Sequence, residues 1–191
     1  TAMKVESLDR GWFFNRGYES QAADKVTVDL PHTWNAADAM FGNVNYYRGM
    51  STYSRFIVVP SSENFKRVFL RVKAAQTVAD VYLDNHFVAQ HKGGYTSFTV
   101  ELTHLIRRGE KQKLDIRVSN AQTMEIAPIC SDFNIWGGLN RGVELLYTDD
   151  ACIDPTFYGS SGVFFTQYNV SEKYAGLEMK ALIWSFLPDD Q

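Results

Sequence analysis

An all-β sandwich or jelly roll is the fold this sequence predicts. Three observations carry it: apolar and polar residues alternate with period two, turn-forming residues recur at short intervals, and helical periodicity is almost absent. Val26, Val28 and Leu30 alternate with Thr27 and Asp29; Val68, Leu70 and Val72 with Phe69 and Arg71; Leu114, Ile116 and Val118 with Asp115 and Arg117. Successive side chains on a strand point to opposite faces, so this pattern lays one face on a core and turns the other away from it.

Between these anchors, YSRFIVV (53–59), VADVYL (78–83), HFVAQ (86–90), SFTVEL (97–102) and VELLY (143–147) read as strands, giving about eight short ones with turn chemistry between them. Asp84-Asn85 separates two of them, and both residue types tolerate the positive φ of a tight hairpin. Gly93-Gly94 and RRGEKQ (107–112) read as connections. Leu102–Arg107 is the best helical window and predicts one short helical turn capped by Thr103. After Leu146 the composition shifts: YTDDACIDPTFYGSSG (147–162) combines a doubled acid, a proline, glycines and serines, which marks a linker. GVFFTQYNV (162–170) and LEMKALIWSF (177–186) then read as two more strands. Two strands do not make a stable domain, so 1–150 is expected to form one domain and 151–191 the truncated start of a second.

A net charge of −3 and a pI near 5.8 supply no basic face for nucleic acid or an anionic membrane surface. No stretch approaches the roughly 20 apolar residues of a membrane span. The opening Thr1-Ala2-Met3 reads as a processed or recombinant start. Cys130 and Cys152 do not amount to a disulfide framework and are expected to be buried free thiols.

Most reactive chemistry finds no pattern to stand on. His32, His86, His91 and His104 are dispersed, without the close spacing of a zinc site, so no metal is expected on them; His32 in LPHTW reads as a hydrogen-bonded architectural residue. Gly93-Gly94 and Gly137-Gly138 lack the strand-to-helix setting and the lysine of a phosphate loop. Asp149-Asp150 and Asp189-Asp190 read as solvated loop acids. Asn169-Val170-Ser171 fits a glycosylation sequon, a pattern frequent by chance. Trp12, Phe13, Phe14, Trp34, Tyr46, Tyr95, Phe98 and Phe133 are expected in the core or between sheets, whereas Trp136 and Tyr47, in glycine-flanked loops, are as consistent with a sugar-stacking face as with packing. That leaves SDFNIWGGLNRGVELLY (131–147), where an acid, two aromatics, a glycine pair and an arginine precede an apolar strand. A phosphate cradle, a catalytic loop and a β corner that offers a side chain to a neighbour compete for it.

In order and spacing, GWFFNRG (11–17), VDLPHTWN (28–35), YYRGMSTYSRFIVV (46–59), RVFLRVKAAQTVADVYLDN (67–85), HKGGYTSFTVELT (91–103), LDIRVSN (114–120) and GGLNRGVELL (137–146) resemble the N-terminal jelly-roll, galactose-binding-domain-like, of glycoside hydrolase family 2. The resemblance covers about residues 10–150, and FYGSSGVFFTQYNVS (157–171) resembles the start of the family's next domain, an immunoglobulin-like sandwich. Asp84-Asn85 stands where the family often has Asn-Gly, a turn variant read as having no functional weight.

The resemblance implies a non-catalytic, sugar-proximal domain of a retaining glycosidase, with a β-galactosidase the favoured kind. It places the two catalytic glutamates on a barrel beyond the second sandwich, so no catalytic residue is expected in these residues and the chain alone is expected to be inactive. It also implies that an aspartate six residues before the second glycine of the corner contacts sugar hydroxyls, directly or through a bound monovalent or divalent cation; Asp132 holds that spacing from Gly138. Arg48 in YYRG occupies a second position near substrate, and Arg141 is expected to hold the corner. Asp132, Arg48 and Trp136 are the candidate substrate-binding residues, with no cofactor required. The expected partners are a carbohydrate substrate and the catalytic barrel of the same polypeptide, with homo-oligomerisation open. Export to the periplasm or outside is favoured by analogy with polysaccharide-degrading relatives. The competing classes are an independent carbohydrate-binding module and a structural spacer.

Overall fold

The computed structural model describes residues 3–17, 26–38, 46–62, 64–127 and 134–185. In chain order the strands are β1 Lys4–Ser7, β2 Trp12–Arg16, β3 Val26–Val28, β4 His32–Thr33, β5 Met50–Val58, β6 Arg67–Val72, β7 Val78–Leu83 and β8 His86–Lys92. They continue as β9 Phe98–Glu101, β10 Lys111–Ser119, β11 Gly138–Leu139, β12 Val143–Thr148, β13 Ala151–Ile153, β14 Val163–Tyr168, β15 Gly176–Ala181 and β16 Ile183–Ser185. A four-stranded sheet ordered β1-β12-β6-β9 faces a six-stranded sheet ordered β3-β2-β5-β10-β7-β8. All their pairings are antiparallel, with non-sequential neighbours, as a jelly roll requires.

The alternation read from the sequence decides which side each residue faces. Leu114, Ile116 and Val118 of β10 join Tyr53 and Ile57 of β5, Val68, Leu70 and Val72 of β6, and Leu145 and Tyr147 of β12 in one buried cluster. Burying each such side chain contributes roughly 1.5–3 kcal/mol, which makes this row the main source of stability. Across the ladder Leu145 is opposite Leu70, and Leu146 opposite Phe69. Phe69 and Leu146 therefore face outward from the sandwich, yet both are fully buried. The ring of Trp184, on β16, lies 5.6 Å from the ring of Phe69 and covers that outer face.

Turn chemistry behaves as the residues dictate. Asp84 and Asn85 take φ of 48° and 66°, the paired positive angles of a two-residue hairpin. Asp84 does more than tolerate the turn, because its carboxylate accepts hydrogen bonds from Lys113 N and Gln112 Nε2, each at 2.8 Å, and from Arg107 Nη2 at 2.9 Å. The hairpin tip is thereby tied to the neighbouring β10 connection. Residues 102–106 make a single turn, with Ile106 N bonding Leu102 O at 3.0 Å, and no regular helix follows. Thr103 does not cap it: its hydroxyl instead accepts from Val68 N at 3.0 Å, because the β6–β9 ladder ends at Glu101 and leaves that donor without a strand partner. Beyond β12 the chain forms β13 paired with β16 and a separate β14–β15 hairpin.

Candidate functional site

At one end of the sandwich, four of the quoted sequence segments meet in a buried polar hub. Asn35, Asp38 and Asn120 are all buried there. Asn35 Oδ1 accepts from Gly137 N at 2.8 Å and from Asn120 Nδ2 at 3.1 Å, while Asn35 Nδ2 donates to Asp38 Oδ2 at 2.6 Å and to Tyr47 O at 3.0 Å. Asn120 Nδ2 also donates to Ile135 O at 3.0 Å, and its Oδ1 accepts from Gly49 N at 2.9 Å. Asp38 Oδ2 accepts from Tyr47 N at 3.0 Å. The LPHTWN, YYRG, VSN and GG segments are thus fastened by side-chain amides standing in for a strand ladder. A buried polar group must be bonded to be tolerable, so the hub fixes one arrangement of these loops.

Why two glycines stand at 137 and 138 follows from the same packing. A Cβ on Gly137 would sit 2.0 Å from the Trp34 ring, and Gly138 combines φ of 138° with a Cβ position 2.3 Å from His32 O. Backbone meets ring and backbone at contact distance, leaving no room for a side chain. The pair belongs to a β corner rather than a phosphate cradle. β11 pairs with β4 here, and Thr33 Oγ1 donates to Gly137 O at 2.8 Å.

The corner projects Trp136 outward. Its side chain is 43% exposed and, with Pro31, His32, Thr33 and Asn140, lines a cavity of about 420 Å³. Asn140 Nδ2 donates to Trp136 O at 2.8 Å and fixes the backbone of the tip. His32 Nδ1 lies 2.7 Å from the hydroxyl of Tyr53, which also accepts a hydrogen bond from the Leu139 backbone. Burial pushes the Tyr53 phenol up and the His32 imidazole down, so both are neutral near pH 7. A buried hydroxyl proton needs an acceptor, which assigns Tyr53 O–H as donor to Nδ1 and leaves the imidazole proton on Nε2.

The residues expected to bind substrate separate at this point. Asp132 lies outside the described residues, as do Phe133 and Cys130. Trp136 lines the cavity. Arg48 is exposed, does not line that cavity, and stacks over the Tyr46 ring at 5.6 Å. Tyr47 serves packing: its hydroxyl donates to Met50 O at 2.7 Å and its ring meets Trp34 edge-on. Arg141 is exposed and makes no hydrogen bond or ion pair among the described residues; the bonds seen to hold the corner come from Asn35, Asn120 and Asn140. Those asparagines were legible only as motif letters, and Asp38 stood in no quoted motif. The signal available for them was polar residues at the ends of strongly apolar strands.

Several other expectations change. Asp150 is not a free loop acid, because Arg67 Nε donates to it at 3.2 Å and Arg67 Nη1 to Glu101 at 3.0 Å. Cys152 is a free thiol but only partly buried. Phe13 and Tyr95 are exposed rather than core. The three carboxyls with displaced pKa values among the described residues are all held low. Asp29 is lowered by its hydrogen bond to Arg10, and Glu125 by its bond to Lys92. For Asp84 partial burial pushes upward, but Gln112, Lys113 N and Arg107 together outweigh it. A general acid needs the opposite displacement.

Comparison with known proteins agrees with this architecture. Residues 6–149 match the family profile described as "Glycosyl hydrolases family 2, sugar binding domain". A β-glucuronidase of Bacteroides fragilis is 39% identical over 168 residues, 88% of this chain and 24% of that protein. Among solved structures, an FMN-binding β-glucuronidase from Facaelibacterium prausnitzii superposes with a TM-score of 0.86 at 34% identity, covering 95% of this chain and 28% of the other. A structure described as a putative β-galactosidase from Bacteroides fragilis gives 0.87 at 30% identity, covering 94% and 28%. The chain therefore spans about a quarter of the length of each of these three. A jelly roll whose motifs converge on one loop-setting hub, matched over nearly its whole extent, makes this chain a member of glycosyl hydrolase family 2, with its sugar-binding domain at residues 6–149.

Proposed function

We propose that this domain is the sugar-facing part of a retaining family 2 glycosidase that removes terminal β-linked sugars, and that its substrates are β-glucuronides. The observation that carries the reading is the hub of Asn35, Asp38 and Asn120, which commits buried hydrogen bonds to holding the backbone at Ile135 and Gly137 on either side of Trp136. A spacer domain would have no use for backbone fixed in this way. Asp132, six residues before Gly138, is the carboxylate assigned to the sugar in this reading, directly or through a cation. Arg48 is the more peripheral candidate. The chemistry of bond cleavage belongs to a catalytic barrel in the same polypeptide, and residues 151–191 to the first part of an immunoglobulin-like sandwich between the two.

Relatives named as β-glucuronidases support the sugar assignment over the β-galactosidase that the motifs first suggest. A β-galactoside is the second reading, favoured by the 30% identical structure described as a putative β-galactosidase. Turnover of a chromogenic β-D-glucuronide against the matching β-D-galactoside by the intact protein separates them. Preference for the glucuronide is expected. Preference for the galactoside overturns the first reading in favour of the second, and hydrolysis of neither overturns both.

A further inference from the structure

We propose that the cavity lined by Pro31, His32, Thr33, Trp136 and Asn140 is a subsite for an uncharged pyranose ring, with Trp136 as its stacking face and His32 Nε2–H as a donor to a ring hydroxyl. This rests on the domain being sugar-facing and deepens that reading, for it separates the neutral ring of a longer saccharide from the terminal sugar that is cleaved.

Size and shape come first. A cavity of about 420 Å³ falls within the usual range for small-ligand sites and suits one sugar ring with part of the next. Trp136 offers an indole face to the cavity, is 43% exposed, and has its carbonyl held by Asn140 Nδ2. An indole face covers the C–H side of a pyranose, and its position at a fixed corner reduces what ordering it on binding would cost.

The hydrogen-bonding capacity of the wall is the second argument. Tyr53 uses its proton on His32 Nδ1, so Nε2 carries the imidazole proton, and no protein group among the described residues accepts it. Phe14, 4.8 Å from the imidazole between ring centres, helps fix its plane. The free Nε2–H on the wall of the cavity matches a ring hydroxyl, which both donates and accepts. The pyrrolidine of Pro31 and the already bonded Thr33 hydroxyl add no competing polar demand.

Charge decides the class of ring. Among the described residues neither Lys nor Arg lines the cavity, and burial lowers the His32 pKa, so no described group there compensates a carboxylate. A uronate ring would lose hydration of its carboxylate without gaining a cation, whereas a neutral hexose or pentose loses little.

The test uses the chain itself, titrated with cellobiose as the neutral probe and with glucuronic acid as the charged one, following the backbone amide resonances of His32, Thr33, Gly137 and Asn140 together with the Trp136 indole N–H. Cellobiose is expected to shift these resonances at millimolar concentration, and glucuronic acid to bind more weakly. Trp136→Ala should abolish cellobiose binding, and because Trp136 is exposed this variant should keep the far-ultraviolet spectrum of the parent; His32→Phe, which retains the ring beside Phe14, is a second variant expected to weaken binding about fivefold while folded, in line with one hydrogen bond. No shift with cellobiose, a shift that survives Trp136→Ala, or tighter binding of glucuronic acid would each overturn the proposal. Because no turnover is measured, such a failure is distinct from failure of the glycosidase reading, which the chromogenic assays decide.

Discussion

Asn120 shows how much one side chain can hold. It is fully buried, bonds Asn35, Tyr47, Gly49 and Ile135, and so joins the end of β10 to three loops. Replacing it by Ala leaves several buried partners unsatisfied, each at a cost of about 1–3 kcal/mol if no water replaces the lost bond. Asn120→Ala should therefore destabilise the chain by about 2–4 kcal/mol and lower Tm by about 4–16 °C, read by thermal unfolding. An unchanged Tm would remove the hub from the account of the loop. Asp132 calls for the opposite pattern. As a charged hydrogen bond to a sugar hydroxyl it would contribute roughly 1.5–3 kcal/mol, so Asp132→Asn in the intact protein should lower kcat/KM by about tenfold or more with Tm nearly constant. If Asp132 merely braced the corner, Tm would fall and the kinetics per folded molecule would hold.

At the scale of elements, legibility followed periodicity. β10 was readable because Leu114, Ile116 and Val118 all enter the core cluster; β12 was readable as a strand, but not as one buried on both faces, since nothing local announces that Trp184 will cover Phe69 from far along the chain. The 102–107 turn misled for a related reason: local helical spacing is a weak signal, and Thr103 found a better partner in Val68 N across the sheet edge. The site was legible in its motif letters but not in its hub, because amide-to-backbone bonds between segments as distant as Asn35 and Gly137 leave no periodic trace. The β14–β15 hairpin carries the clearest unresolved demand. Phe165 opposes Met179, and Leu177 lies on the same face, at exposures of 62%, 64% and 58%. An apolar face left open in this way recruits other chains. The double substitution Phe165→Thr and Met179→Thr should therefore reduce concentration-dependent self-association in sedimentation velocity while leaving Tm within a few degrees. A large fall in Tm would instead mean that this face already contributes to the fold.

Across the whole molecule, acid should weaken the fold in two stages. His32 and His91 both have pKa values lowered from 6.5, in each case chiefly by burial. The unfolded chain takes up these protons first, so stability present above pH 6.5 is lost as the pH falls below that value. The lowered carboxyls of Asp29, Asp84 and Glu125 act later, as the pH drops through the ordinary carboxylate range. His91→Phe preserves the stack on Phe98, 4.4 Å away, and should flatten the first stage of a Tm-against-pH curve; an unaltered curve would assign that stage elsewhere. The remaining question is whether residues past 150 are a separate body or a part of this one. Composition places a boundary there, but the contacts cross it: Trp184 on Phe69, and Ser97 Oγ on Gly159 O at 3.0 Å. Phe69 is fully buried on the outer side of the four-stranded sheet, where Trp184 shelters it from beyond the sandwich. Trp184→Ala should accordingly destabilise the sandwich by about 1–3 kcal/mol, less than the 3–5 kcal/mol typical of a core Trp because this one is only partly buried. The loss should appear in the single unfolding transition of the β10 and β12 amides, followed by hydrogen exchange. Unchanged exchange in those strands, with opening confined to residues 151–185, would show that the linker marks an energetic boundary as well as a compositional one.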